Sequence, residues 1–136
     1  MDLEGLQKEW LYQQRAYDDY ERSALHIKLF AFSALFILFY LKLSLLIGGI
    51  VLATIWLSEG IWKTFQSRIE TRLLKVEAAI SAKTNIDACQ FNSEFLAQRG
   101  SAASLVAEYI KQSLKPTVAY PHILLIGIYV IGQLGF

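Results

Sequence analysis

Cysteine and proline are almost missing from this sequence. Among its 136 residues there is one cysteine, Cys89, and there are two prolines, Pro116 and Pro121. A single thiol excludes an intrachain disulfide and any metal site built from several cysteines. Both prolines come late, so the polar N-terminal segment from Leu3 to Lys28 has none to interrupt a helix.

Charge is also scarce and nearly balanced. Only 18% of the residues are charged, and the formal net charge is +1. Without an overall positive field, electrostatic attraction to nucleic acid or to an acidic lipid surface is weak. We therefore expect no nucleic-acid partner.

Sequence signatures of catalysis are missing as well. We find no glycine-rich phosphate loop, no His-x-x-x-His or paired-cysteine metal spacing and no nucleophile elbow. The two histidines, His26 and His122, each fall at a predicted membrane interface, where an amphipathic ring is stable without a chemical role. These observations predict a non-enzymatic protein with no cofactor, no metal and no small-molecule substrate.

The sequence is instead rich in apolar residues, and these form two long blocks. Hydrophobic residues make up 54% of the chain. The second block, Thr117 to Phe136, contains no charge. At about 1.5 Å per residue, a helix of this length crosses the roughly 30 Å hydrocarbon layer of a membrane. We predict that residues 117 to 136 form a transmembrane helix.

The first block, Leu29 to Ser58, is too long for one comfortable span and contains Lys42 near its middle. A single tilted helix places this lysine near the bilayer centre, at a cost of about 2.5 to 3.5 kcal/mol. A hairpin across residues 25 to 62, with spans at about 25 to 41 and 44 to 62, places it at the far surface. We favour the hairpin, although its turn contains no glycine, proline or asparagine.

The distribution of lysine and arginine predicts the orientation. Four lie in the N-terminal segment and eight in residues 63 to 116, whereas the hairpin tip has only Lys42. The positive-inside rule then places the N-terminus and the middle segment in the cytoplasm and the C-terminus outside. A signal peptide is disfavoured because the first apolar stretch follows a polar segment. We expect a protein of the bacterial inner membrane.

Two amphipathic helices are predicted beside the hairpin. In residues 1 to 24, apolar and aromatic residues recur at helical spacing, and this helix is expected to continue into the first span. Residues 63 to 116 begin with the same pattern up to about Lys83, followed by turn residues to about Ser101 and a short helix over about 102 to 114. The two long helices are expected to pack like a coiled coil and to offer a cytoplasmic docking surface. This docking stripe consists of Trp10, Tyr17, Tyr20, Phe65, Ile69, Leu73, Val76 and Ile80.

Glu59 is the most informative single residue, because it ends the second predicted span between two tryptophans. One interpretation is an interfacial acid that pairs with Lys63 on the next helical turn or with Lys28 across the hairpin. The other is an ionisable group at the mouth of a pore or proton path, since charges inside membranes are often functional. The charged residues of this second interpretation are Glu59, Lys28 and Lys42.

Small residues mark the apolar helices as packing surfaces, because they let helix backbones approach closely where no hydrophobic effect separates helix from lipid. Three helices are too few to enclose a channel within one chain, so we expect function by assembly. The helix-packing residues are Gly48, Gly49, Ala53, Gly127 and Gly132.

The layout of a polar aromatic-rich helix, a tight transmembrane hairpin and a returning amphipathic helix resembles small two-span membrane effectors of bacterial conflict (anti-phage) systems. The resemblance covers about Leu3 to Lys83 and depends on layout alone, and the third predicted span departs from it. It implies oligomerisation and membrane permeabilisation on a cytoplasmic signal.

Our leading expectation is an all-α integral membrane protein that acts as an accessory or scaffold subunit. Its partners are expected to be the lipid bilayer and either copies of itself or other membrane-protein subunits. A homo-oligomeric pore-forming effector is the alternative.

Overall fold

The computed structural model describes residues 2 to 135, and this part of the chain consists of five α-helices. The prediction of an all-α fold is confirmed. Three of the helices are long and apolar enough to cross a membrane. The five helices are α1 (Leu3–Tyr40), α2 (Leu45–Ala82), α3 (Phe91–Gln98), α4 (Ala102–Ser113) and α5 (Pro116–Gln133).

The helices α1 and α2 form a hairpin whose arms are each 38 residues long, or roughly 57 Å at about 1.5 Å per residue. The reversal lies between Tyr40 and Leu45. Lys42 takes a left-handed backbone conformation there, with φ of 53°. Glycine is the residue that usually adopts this conformation in a turn. Ser44 then caps α2, since its side chain accepts a hydrogen bond from the amide of Ile47.

The hairpin arms are held together by two separate apolar clusters. At the end remote from the turn, Leu6 packs against Val76 and Ala79. The larger cluster lies nearer the turn and also includes side chains of α5. The predicted packing of the two long helices is therefore confirmed. The larger cluster consists of Ala31, Ala34, Leu35, Leu38, Leu52, Ile55, Leu125 and Tyr129.

Large apolar side chains stay exposed around the half of the hairpin near the turn. Phe36 is 71% exposed and Leu46 is 73% exposed. An ordinary soluble protein rarely leaves such a continuous apolar surface uncovered, whereas lipid tails solvate it well. The pattern suits three membrane-crossing helices, α1, α2 and α5.

Helix α3 was not predicted, because residues 83 to 101 were expected to be turns. Its sequence gives little signal: no side chain caps its N-terminus, and none of its eight residues is buried. It is held by tertiary contacts instead, since Glu94 pairs with Arg72 and Phe95 lies against Arg68. Contacts of this kind leave no periodic pattern in the sequence.

The helices α4 and α5 follow one another along the hairpin in the same direction, with a short break between Ser113 and Pro116. Helix α4 begins at the predicted position after Ser101, whose side chain accepts a hydrogen bond from the amide of Ser104. Pro116 then opens α5, a position where proline loses no helical hydrogen bond. Because α5 begins beside the middle of α2 and ends beside the hairpin turn, it runs parallel to α1.

Candidate functional site

Glu59 lies fully buried at the meeting point of α1, α2 and α5. Its side chain has 0% exposure. Oε2 of Glu59 is 2.6 Å from Nε2 of His122 on α5. Oε1 forms an ion pair with the ammonium group of Lys28 on α1, and it has no other hydrogen-bond partner among residues 2 to 135. One carboxylate therefore joins all three apolar helices.

The contacts of Glu59 compensate the free-energy cost of burying its carboxylate. An isolated carboxylate is very costly to remove from water, so buried acids are paired or protonated. Here Lys28 supplies the compensating charge, and with Glu59 ionised the Nε2–H of His122 donates to Oε2. Removing one partner of such a buried pair typically costs about 3 to 5 kcal/mol. The cluster fixes α5 to the hairpin.

A tryptophan and a close helix contact support the cluster. The ring of Trp56 is stacked parallel to that of His122, with 6.2 Å between centroids and 7° between planes. Its Nε1–H donates to the carbonyl of Ser113, at 2.8 Å. Beside it, a Cβ atom on Gly60 would lie 1.8 Å from Oγ of Ser113. Glycine at this position lets the end of α4 touch α2, which holds the α4 to α5 junction in place.

Of the lysines that the sequence analysis considered together with Glu59, the structure pairs only one with it. Lys28 pairs with it across the hairpin. Lys63 instead bonds Glu21, at 2.8 Å, and Lys42 lies in the hairpin turn. His122 is 1% exposed and bonded to Glu59, a contact that the sequence did not predict.

The far end of α5 is attached to the hairpin turn by Tyr129. The Tyr129 hydroxyl lies 2.6 Å from the carbonyl oxygen of Leu43, to which it donates, and 3.1 Å from that of Ser44. Its ring occupies the space above Gly48, where a Cβ atom would come within 2.1 Å. Tyr129 thus pairs the turn carbonyl of Leu43, whereas the carbonyl of Ser44 also accepts a hydrogen bond from the amide of Gly48.

The small residues singled out in the sequence divide into two groups. A Cβ atom on Gly48 would meet Tyr129, and one on Gly132 would come within 2.6 Å of the ring of Phe39. By contrast, a Cβ atom on Gly49 or Gly127 would meet nothing within 4 Å, and Ala53 is exposed. Two of these residues serve packing inside the chain, and three leave an outer surface uncovered.

The predicted docking stripe is used mainly inside the hairpin. Ile69, Leu73 and Val76 are at most 6% exposed. The ring of Tyr20 lies 4.7 Å from that of Trp62, centroid to centroid. The stripe therefore leaves little continuous surface for a partner. Its remaining members, all partly buried, are Trp10, Tyr17, Phe65 and Ile80.

A second buried ion pair lies at the opposite end of the hairpin and was missed from the sequence. Arg72 bonds both carboxylate oxygens of Glu9, at 2.6 and 3.0 Å. It also bonds Glu94 at 2.9 Å and the carbonyl of Asp87 at 2.9 Å. Glu9 in turn accepts a hydrogen bond from the amide of Cys89. The signal was present, because Arg72 occurs between Ile69 and Val76 on an otherwise apolar face.

These contacts shift the ionisation of groups in the predicted cytoplasmic half. The hydrogen bond to Glu9 raises the pKa of Arg72, which strengthens its charged form. The hydrogen bond from Lys75 lowers the pKa of Glu94. The segment after α2 is therefore attached by charge pairs as well as by Ile86 and Ala88, which pack against the apolar cluster of Leu6. Within residues 2 to 135, no three His, Cys, Asp or Glu side chains come together as a metal site.

Comparison with models of protein families, with curated proteins and with solved structures finds no match to this chain. We therefore describe the class of this protein by its fold alone. It is a helical chain with a hairpin of two long helices and three helices suited by length and composition to cross a membrane.

Proposed function

We propose that this chain is a non-enzymatic three-span membrane protein that acts by assembly, as an accessory or scaffold subunit of a membrane complex. The observation that carries the proposal is an uncovered apolar face on α4. Val106 is 52% exposed, Ile110 is 51% exposed and Leu114 is 62% exposed. The α4 face consists of Ala103, Val106, Ala107, Ile110 and Leu114, which recur at helical spacing.

The position of α4 makes this face available to a protein partner. Ser113 lies beside Gly60, and Ser104 and Glu108 line one cavity together with Thr71. Helix α4 thus runs antiparallel to α2, along the polar part of α2 and toward Glu59. Under the proposed topology most of its outer face lies beside the polar part of α2, where water and not lipid tails would otherwise cover it. Burying such a face is a common basis of stable association.

The alternative is a homo-oligomeric pore, and the environment of Glu59 argues against it. A pore acid must meet water or ions. Glu59 is instead fully buried, with Lys28 and His122 against its two oxygens. What favours the alternative is the uncovered surface at Gly49, Ala53 and Gly127, where copies of the chain could approach one another closely.

The proposed location is the bacterial inner membrane, with the N-terminus in the cytoplasm and the C-terminus outside. The support is the charge distribution: the hairpin tip has Lys42 alone, whereas the segment from residue 63 to 116 has eight Lys and Arg residues. The ion pairs of Arg72 and Lys75 also belong to that segment, and they suit an aqueous compartment.

The experiment changes the α4 face and leaves its neighbour as a control. Ile110→Glu puts a charge into the centre of the face, and Lys111→Glu introduces the same side chain one residue away at an exposed position. The proposal predicts that I110E loses the co-purifying partner subunit, and that K111E retains it. Both variants should keep the helix content of the parent in circular dichroism. Retention of the full assembly by I110E would contradict the proposal.

A further inference from the structure

A polar concavity beside the hairpin lies between α2, α3 and α4. It has a volume of about 370 Å³, which falls in the size range of small-molecule sites. Its walls combine arginines with aromatic rings, and nothing described so far uses it. The side chains that matter for its chemistry are Arg68, Arg72, Phe91, Glu94, Phe95, Arg99 and Glu108.

Arg68 is fixed in this cavity by rings and not by a carboxylate. Its guanidinium carbon lies 4.2 Å from the ring centroid of Phe95 and 5.0 Å from that of Phe65. Such cation–π contacts hold the planar group without using its N–H donors. No ion pair or hydrogen bond to Arg68 exists within residues 2 to 135. A half-buried arginine with its donors free is a ready anion receptor.

The charges around Arg68 leave a positive excess. Arg72 and Lys75 are neutralised by Glu9 and Glu94 in the network described above. The cavity then retains Arg68 and Arg99 against Glu108, for which no ion pair is found in residues 2 to 135. The start of α4 lies at the same wall, through Gly100 and Ser104, and a helix N-terminus favours negative charge.

The hydroxyl groups that line the cavity are not free to donate hydrogen bonds to a bound anion. Ser67 donates to the carbonyl of Thr64, Thr71 to that of Ser67 and Ser104 to that of Ser101. Their hydrogens are already used by the backbone. Binding must therefore depend on the arginine donors, whose planar fork matches the oxygens of a phosphate group.

We propose that this cavity binds a phosphate group, with Arg68 as the principal donor and Arg99 as the second. The source is either a soluble phosphate ester or the headgroup of an anionic phospholipid, because Arg68 lies only about 14 Å along α2 from Glu59 at about 1.5 Å per residue. Phe91 and Phe95 supply apolar wall for the organic part.

The test uses the full chain in nanodiscs of phosphatidylcholine. Inorganic phosphate and glycerol 3-phosphate are titrated by calorimetry, with glycerol as the uncharged control. For the lipid source, phosphatidylglycerol retained after gentle detergent extraction is measured by native mass spectrometry. Binding of the soluble probes identifies a phosphate ester, whereas retention of phosphatidylglycerol alone identifies the lipid headgroup.

Three variants define the expected pattern. Arg68→Gln should weaken binding by about tenfold or more, the range of a lost charge-assisted bond. Glu108→Gln should tighten it by about two- to fivefold, because a like charge is removed. Arg15→Gln, on the exposed surface of α1, should change nothing. Arg68→Lys keeps the charge if R68Q fails to fold, and it should weaken binding through loss of the planar fork.

The proposal is overturned if the native chain binds neither the soluble phosphates nor phosphatidylglycerol. It is equally overturned if Arg68→Gln and Arg68→Lys, both with the helix content of the parent, bind as the native chain does. Weaker phosphate binding in E108Q than in the native chain would show that Glu108 supports binding and does not oppose it, and it would also refute the assignment.

Discussion

The side chains of Glu59 and His122, which are 63 residues apart in the sequence, meet at 2.6 Å in the interior of the protein. One belongs to the hairpin and the other to α5. Together with Lys28 they form a polar contact that spans all three apolar helices. A contact of this kind gives the bundle a fixed register, since sliding any one helix would leave a buried charge without its partner.

The first prediction concerns this contact. Glu59→Ala and His122→Ala should each destabilise the protein, the former by about 3 to 5 kcal/mol, because Lys28 loses its counter-charge and His122 loses its hydrogen-bond acceptor. The double variant should cost less than the sum of the two, with a coupling energy of about 1 kcal/mol or more. Reversible unfolding in mixed micelles measures all three. Strict additivity would mean that the two side chains do not interact.

A substitution of Glu59 also distinguishes the two proposed functions. Under the scaffold proposal, Glu59→Gln lowers the stability of the protein, and neither the native chain nor the variant conducts ions across the membrane. Under the pore alternative, it leaves assembly intact and abolishes a conductance that the native chain has. Overexpression with a membrane-potential dye distinguishes them, and rapid depolarisation by the native chain would support the pore.

The second prediction compares two neighbouring glycines. A Cβ atom on Gly48 would enter the ring of Tyr129, whereas one on Gly49 would meet open space. Gly48→Ala should therefore destabilise the bundle by about 1 to 3 kcal/mol, the cost of overpacking. Gly49→Ala should be neutral or stabilising by up to about 1 kcal/mol, because alanine favours a helix. Thermal unfolding in detergent gives both values, and equal effects would argue against the packing of α5 on α2.

The third prediction concerns acid. The hydrogen bond from Lys75, aided by the charge of Arg72, holds the pKa of Glu94 below its ordinary value of 4.5. A lowered pKa means that the folded form binds the proton less well than the unfolded form. The stabilisation is thus complete above that ordinary value and is lost as the pH falls through the lowered one. Helix α3 should detach from Arg72 in that range.

An environment-sensitive dye on Cys89 reports this detachment, because the thiol is exposed and lies just before α3. Native protein should show an acid transition below about pH 4.5. Glu94→Gln removes the titrating group, so its spectrum should show a weaker transition or none. An unchanged transition in this variant would assign it to another acid.

The fourth prediction concerns topology, and the same thiol tests it. Under the proposed orientation, Cys89 lies in the cytoplasm. A membrane-impermeant maleimide should leave it unlabelled in intact cells and label it after permeabilisation. A cysteine introduced at Lys42, in the hairpin turn, should behave in the opposite way. Labelling of Cys89 in intact cells would reverse the orientation.

Sequence reasoning succeeded where local pattern dominates. The hairpin of two long helices and the C-terminal apolar helix follow from apolar runs of the right length, and the Lys42 turn follows from the cost of burying a charge. The turn needed no glycine, because Lys42 itself adopts the left-handed conformation.

The candidate site was less predictable, for a physical reason. Glu59 to His122 and Glu9 to Arg72 are pairs of residues 63 apart, and a single sequence shows such acids and bases without showing which ones meet. The nearer partner suggested by helical spacing, Lys63, pairs elsewhere. Helix α3 was missed for the same reason, since distant charges and the ring contact with Arg68 hold it in place.

The most direct test of the proposed function is the mass and composition of the particle that the tagged full chain forms when it is extracted from its native membrane in a gentle detergent. The scaffold proposal predicts a second polypeptide at a fixed stoichiometry, which Ile110→Glu releases and Lys111→Glu retains. A closed ring of this chain alone would contradict it in favour of the pore. A single chain with no companion would contradict function by assembly altogether.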